Sequence, residues 1–320
     1  MRTHPGGGVM NSFTVFQQGR IMARRNHFSF VHLDVFARRA LEGNPLAVFP
    51  DARGLSADEM QTIAREMRLS ETTFIIPRAR KTEKTKGVRT RIFTVQEELP
   101  FAGHPTLGTA WLLREETKRN RIVLDLNVGS IPVEFSSREG RVFGEMLQKD
   151  PTWGMTHSTA KVAVVLGVEP SELDSRAAIE TVSTGLPFII VPFRSLETLR
   201  KLQPNTARMA EYCRSTNSSM FYLVSSETEN PGARLHARML FYGGEDPATG
   251  SAAGPTAAWM VRHGWTKPGE QVWIEQGLEV SRPSQIFVRA GGNRGRPTKV
   301  RVGGFCFEVI RGELAIPRLT

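Results

Sequence analysis

The sequence predicts an α+β protein of two similar halves, each a set of mixed strands around one thin, buried helix. Three observations carry this. Short segments rich in β-formers recur along the chain with turn residues between them. Two helical segments, 105–113 and 247–261, carry almost no polar face, and a helix apolar on all sides is a buried one. Both start at a proline behind a polar loop and continue through small residues, so each is wrapped closely.

The elements follow in order. Residues 28–36 read as a strand, 42–45 (Glu-Gly-Asn-Pro) as a turn, and 46–49 as a second strand. Ser56 and Glu59 form a capping box, and Met60, Ile63, Ala64 and Met67 make one apolar stripe. The stripe ends near Leu69 and 72–76 is a strand, which puts Ser70 and Glu71 at a helix-to-strand junction. Strands at 88–93, 121–126, 131–135 and 142–146 surround the first buried helix, and 150–153 breaks the pattern. Helices at 158–166, 196–202 and 206–214, with strands at 178–183, 188–193, 219–224 and 233–241, lead to the second buried helix. Residues 271–316 are β-rich. His104 and Asp246 hold similar places before the two helices, a weak internal repeat.

Composition narrows the function. The chain has 320 residues, 40% hydrophobic and 23% charged, and no apolar window of membrane-spanning length. Residues 1–26 are polar and glycine-rich, and read as a disordered leader or start-site artefact. Cys213 and Cys306 lie far apart, which fits a reducing compartment and a cytoplasmic protein; Cys213 reads as buried and inert. No Cys/His cluster has zinc spacing, and no Walker loop, convincing GxGxxG or nucleophile elbow is present, so neither a metal nor a cofactor is expected. The net charge of +10 is dispersed. Its richest runs, 78–86 and 289–301, read as solvated loops, and no zinc finger, RNP-like motif or basic zipper helix accompanies them. Nucleic acid is therefore not an expected partner, whereas a small anionic substrate suits the charge.

A helix N-terminus offers unpaired N–H groups and partial positive charge. Two such ends, at Gly103-His104-Pro105-Thr106 and Thr249-Gly250-Ser251, could converge on one carboxylate. Glu71, His104, Asp246 and Glu245 are then the ionisable groups of interest, since a desolvated carboxylate can work near neutral pH. Spacing alone leaves each open: Glu71 reads also as a capping or solvated residue, and His104 and Asp246 as helix caps. Asn44 and Ser70 read as turn and cap residues, and Arg282 as a structural ion-pair partner.

Four segments, LEGNPLAVF (41–49), IAREMRLSETTF (63–74), RIFT (91–94) with ELPFAGHPTLG (98–108), and DPATGSAAG (246–254), resemble the PhzF family of phenazine biosynthesis, in family order. The resemblance implies the diaminopimelate epimerase fold: two pseudo-symmetric domains, each a β-barrel-like sheet around a central helix, with the active site between them and a homodimer as the assembly. It divides this chain into 27–146, joined by a last strand at about 308–320, and 147–307. It implies a cofactor-independent isomerase, moving a proton of trans-2,3-dihydro-3-hydroxyanthranilate or of another small amino or hydroxy acid. Glu71 is then the acid/base, with His104 and Asp246 catalytic beside it, and Ser70, Gly103, Gly250 and Ser251 hold substrate. The two cysteines of the epimerase have no counterpart at the helix ends. Pro247 and Ser281 depart from the family's usual alanine and glycine.

Overall fold

The computed structural model describes residues 25–241 and 244–317; the leader expected over 1–26 lies outside them, save that its last two residues open the first strand. Eight strands close a barrel. In spatial order they are Arg25–Val35, Asn44–Phe49, Glu71–Ile76, Val88–Phe93, Arg121–Leu126, Gly129–Arg138, Arg141–Leu147 and Arg296–Pro317, and the last pairs back onto the first. Closure leaves no free edge among these strands.

The 22-residue strand Arg296–Pro317 serves both halves. Its later part, from Cys306, pairs with Arg25–Val35, and its earlier part pairs with Ser284–Asn293. From there a second sheet continues through Val272–Gln276, Leu235–Arg238, Met220–Ser225, Pro187–Phe193, Glu180–Ser183 and Thr152–Thr156. Among the described residues four strand pairs are parallel, so the sheets are mixed, as expected.

Each sheet surrounds one helix, Gly103–Thr117 in the barrel and Gly250–His263 in the second sheet. Every residue from Gly103 to Ala110, and from Gly250 to Val261, is buried. Thinness is required: a Cβ on Gly108 would lie 2.6 Å from Leu46 and 2.8 Å from Val35. The helix Ala57–Met67 covers the outside of the barrel, with the capping box at Ser56 and Glu59 in place. Strand alternation sorts the residues beneath it. Leu46 and Val48 point inward, while Ala47, Phe49 and Phe74 pack outward against Met60, Ile63 and Ala64.

Several boundaries differ from the sequence expectation. The run read as a solvated loop at 78–86 contains a short helix, Arg80–Lys86, with no buried residue; its Lys and Arg side chains need only water. The other, 289–301, is a strand hairpin, and two of its arginines are paired: Arg289 and Arg301 both reach Glu145. The break at 150–153 runs into the strand Thr152–Thr156. The central helices begin at Gly103 and Gly250, two residues before Pro105 and three after Pro247.

Candidate active site

Glu71 opens the strand Glu71–Ile76, whose parallel register sets it beside Leu46. Leu46 faces the barrel interior, so Glu71 and Thr73 do too, and Thr73 Oγ1 hydrogen-bonds Thr109 Oγ1 of the central helix at 2.9 Å. Asn44 is two residues before Leu46 and shares that face. Ser70, half-buried, directly precedes Glu71.

The two helix ends meet. A Cβ on Gly103 would stand 2.8 Å from the Gly250 Cα and the Ser251 nitrogen, and a Cβ on Gly250 would stand 3.3 Å from the Gly103 Cα. Only glycine permits this approach. The N-cap positions are Ala102 and Thr249, so neither His104 nor Asp246 is a cap residue. The supposed equivalence of His104 and Asp246 also gives way: His104 is the second residue of its helix, whose counterpart is Ser251, while Asp246 lies in the loop before the second helix.

His104 Nε2 and Glu71 Oε2 face each other at 3.4 Å without hydrogen-bond alignment, and among the described residues both atoms are buried and unpartnered. Asp246 reaches this cluster from the other half. Its Oδ1 accepts a 2.7 Å hydrogen bond from Asn44 Nδ2, and its Oδ2 one of 2.6 Å from the Thr249 hydroxyl. Gln276, fully buried, fixes the donor sense. Its Nε2 donates to the Asp246 carbonyl and to Thr249 Oγ1, while its Oε1 accepts from the Thr249 N–H and the Tyr222 hydroxyl. With Thr249 Oγ1 already accepting, its proton must point at Asp246. Glu245 is drawn away from the site into a buried, two-bond pair with Arg238.

Burial sets the charges. It pushes the Glu71 carboxyl well above the usual carboxylate range, with the Asp246 charge adding to the rise. Burial also raises Asp246, to about 6, against the hydrogen bonds from Thr249 and Asn44. His104 is lowered to about 3 by burial, so its ring is neutral at pH 7. Counting hydrogens gives the tautomer. Asn44 Nδ2 has two, and they serve Asp246 Oδ1 and the Ala248 carbonyl at 3.0 Å. None remains for His104 Nδ1, 3.2 Å away, so Nδ1 carries the ring proton toward the Pro45 carbonyl and Nε2 presents a lone pair to Glu71.

The structure thus gathers Glu71, His104, Asp246, Gly103, Gly250 and Ser251, with Ser70 adjoining. Sequence reasoning missed Asn44 and Gln276 as members, and had Thr249 only as part of a helix end. An Asn in a Gly-Asn-Pro turn points to solvent by residue type alone; here it is fully buried. Arg282 is the ion-pair partner expected: its guanidinium donates to Asp34 Oδ1 at 2.6 Å and to the Glu42 and Gly43 carbonyls. Ser281 beside it has φ 57°, the left-handed region that makes glycine usual there. Cys213 and Cys306 are free and buried, one in the helix Thr206–Ser215 and the other in the strand Arg296–Pro317, and burial raises Cys213 to about 11. Among the described residues, no group of three His, Cys, Asp or Glu is placed to hold a metal, and no helix is long and apolar enough to cross a membrane.

Two sheets wrapped on abutting helices, with titratable groups at the junction, define an α+β protein of the epimerase-like class. The PhzC-PhzF model, "Phenazine biosynthesis-like protein", matches residues 33–312, and the chain belongs to this family of isomerases. Trans-2,3-dihydro-3-hydroxyanthranilate isomerase of Pseudomonas chlororaphis is 39% identical over 291 residues, covering 90% of this chain and 99% of its own. The enzyme of that name from Pseudomonas aeruginosa is 37% identical, over 86% of this chain and 95% of its own. The crystal structure of a PhzF-family phenazine biosynthesis protein from Bacillus anthracis superposes with a TM-score of 0.81 at 25% identity, covering 91% of this chain and all of that one.

Proposed function

We propose that this isomerase converts trans-2,3-dihydro-3-hydroxyanthranilate to an aminoketone, with Glu71 as the proton carrier. The observation that carries the reading is the meeting of Glu71, His104 and Asp246 at two abutting helix N-termini. The helix ends, with Ser251, suit the substrate carboxylate. The acceptors, Asp246 and the His104 Nε2 lone pair, suit its amino and hydroxyl hydrogens.

Burial, with the Asp246 charge added to it, favours the protonated form of Glu71 in the free protein. A substrate amino group seated at Asp246 offsets that charge and lets Glu71 ionise. The C3–H bond then breaks, its proton passing to Glu71 and its electrons into the conjugated system. The same carboxyl returns the proton at the far end, so substrate and product have the same composition. His104 Nε2 lies 3.4 Å from Glu71 Oε2, so a small rotation that aligns the two lets it accept a hydrogen bond from the carboxyl and steady the proton between the two ends. We place this activity in the cytoplasm, where free buried cysteines persist, and in a homodimer, the assembly the family resemblance implies.

The test is solvent exchange. Wild-type protein and Glu71→Gln are incubated with the substrate in deuterated water and followed by NMR. The wild type should yield aminoketone, with deuterium at the far end in the fraction of turnovers where the Glu71 proton exchanges with solvent before its return, and turnover should be lower by about 100-fold or more in the variant. A folded wild type that leaves the substrate unchanged rejects this substrate.

A further inference from the structure

Asn44 is fully buried, and its amide can stand only one way round. Two acceptors, Asp246 Oδ1 at 2.7 Å and the Ala248 carbonyl at 3.0 Å, require the nitrogen on their side. Oδ1 is left buried without a hydrogen-bond partner among the described residues. An unpartnered buried amide oxygen is costly. The protein does not relieve it by turning the amide over, because that would set the oxygen against the Asp246 carboxylate. Nor can the backbone move away: the Gly43 N–H donates to the Pro283 carbonyl at 3.0 Å, and Arg282 holds the Glu42 and Gly43 carbonyls. A free acceptor is thus held rigidly in a site where two other unpartnered polar atoms, Glu71 Oε2 and His104 Nε2, face each other.

We propose that Asn44 selects for an amino group on the substrate, Oδ1 accepting one N–H while Asp246, held by Nδ2 of the same side chain, accepts another. This rests on the isomerase reading and adds to it the feature that separates an amino acid from its hydroxy counterpart. The reason is the hydrogen count. Oδ1 and the Asp246 carboxylate are both acceptors, separated only by the Asn44 amide itself. An amino group has hydrogens for both. A hydroxyl has one, and turns a lone pair toward the second acceptor. Discrimination built on buried polar groups is stronger than discrimination by shape, because the rejected ligand leaves a buried group unpaired.

The probes are anthranilate and salicylate, which differ by an amino group against a hydroxyl at the same ring position. Their affinities for the full chain are measured by titration calorimetry at pH 7. The wild type should bind anthranilate about tenfold more tightly or better. Asn44→Ala should bring the ratio close to one, while salicylate affinity stays within about threefold. Asn44→Ser replaces the alanine variant if that one fails to fold, with the same collapse expected. A merely structural role predicts that the Ala and Ser variants weaken both ligands alike, and this result overturns the proposal, as does a wild type without preference. Turnover in deuterated water together with an unchanged ratio in Asn44→Ala rejects the Asn44 assignment alone. No turnover and no binding of either probe rejects both readings.

Discussion

Gly103 and Gly250 stand end to end at the N-termini of the two central helices, so close that a methyl group on Gly103 would lie 2.8 Å from Gly250 backbone atoms. What a Gly103 methyl meets is backbone of Gly250 and Ser251, with no flexible side chain to yield. Gly103→Ala should therefore push the helix ends apart and misplace His104 against Glu71. The expected loss is about 100-fold in kcat/KM with about 1–3 kcal/mol of stability. Gly295→Ala is the control, since its nearest neighbour is a side-chain oxygen 3.5 Å away. Steady-state kinetics and urea unfolding of both variants check this; equal behaviour would show that the helix contact is not tight.

Asp246 raises Glu71 by its charge, after burial. The two carboxyls titrate as a pair, and the acid side of the pH–kcat/KM profile reports the proton leaving that pair. Asp246→Asn removes the charge, so the profile's acid midpoint should move to lower pH even as kcat/KM falls. An unmoved midpoint would disconnect Asp246 from the titration of Glu71.

His104 is lowered by burial from 6.5 to about 3. A depressed folded-state value means that the unfolded chain binds the extra proton first. Its contribution to stability is therefore complete above about pH 6.5 and is lost as pH falls toward 3. Between about pH 6.5 and 4 this amounts to about 3 kcal/mol. Asp246, raised, contributes in the opposite sense, so the comparison is wild type against His104→Asn, in which Asp246 is common to both. Urea unfolding across this range should show the wild type losing more stability than the variant. Nitrogen-15 NMR should find the Nδ1–H tautomer of His104, without titration between about pH 5 and 8.

Arg282 crosses from the second half to a buried Asp34, and Asp34 Oδ2 in turn accepts the Leu41 N–H. Arg282→Met strands Asp34 without its counter-charge and should cost about 3–5 kcal/mol. Adding Asp34→Asn should recover part of the loss. A double variant no more stable than the single one would show that the hydrogen bonds to Glu42 and Gly43, not the charge pair, hold the turn that carries Asn44.

The features legible in the sequence were those that depend on near neighbours. The capping box at Ser56 and Glu59 needs three residues, and the burial of the Gly103–Thr117 helix is written in its lack of a polar face. Glu71, His104 and Asp246 stood out through family-like motifs rather than through spacing. Asn44 and Gln276 did not. A polar side chain carries no mark of its burial, and what buries Asn44 is a loop 202 residues away in the chain. The exact helix starts were also missed, because Pro105 and Pro247 are compatible with several positions at an N-terminus.

The sequence by itself determined the class of elements, the two thin buried helices and the near absence of a polar face on them, because periodicity and residue size act locally. Only the tertiary structure decided that the two helix ends abut, that His104 has Ser251 as its counterpart, and that Asp246 is fastened by Asn44. Those are relations between segments up to about 200 residues apart, set by strand parity and by the closing of Arg296–Pro317 onto Arg25–Val35. The charges follow for the same reason: a carboxyl or imidazole titrates according to what surrounds it, and the fold alone supplies the surroundings.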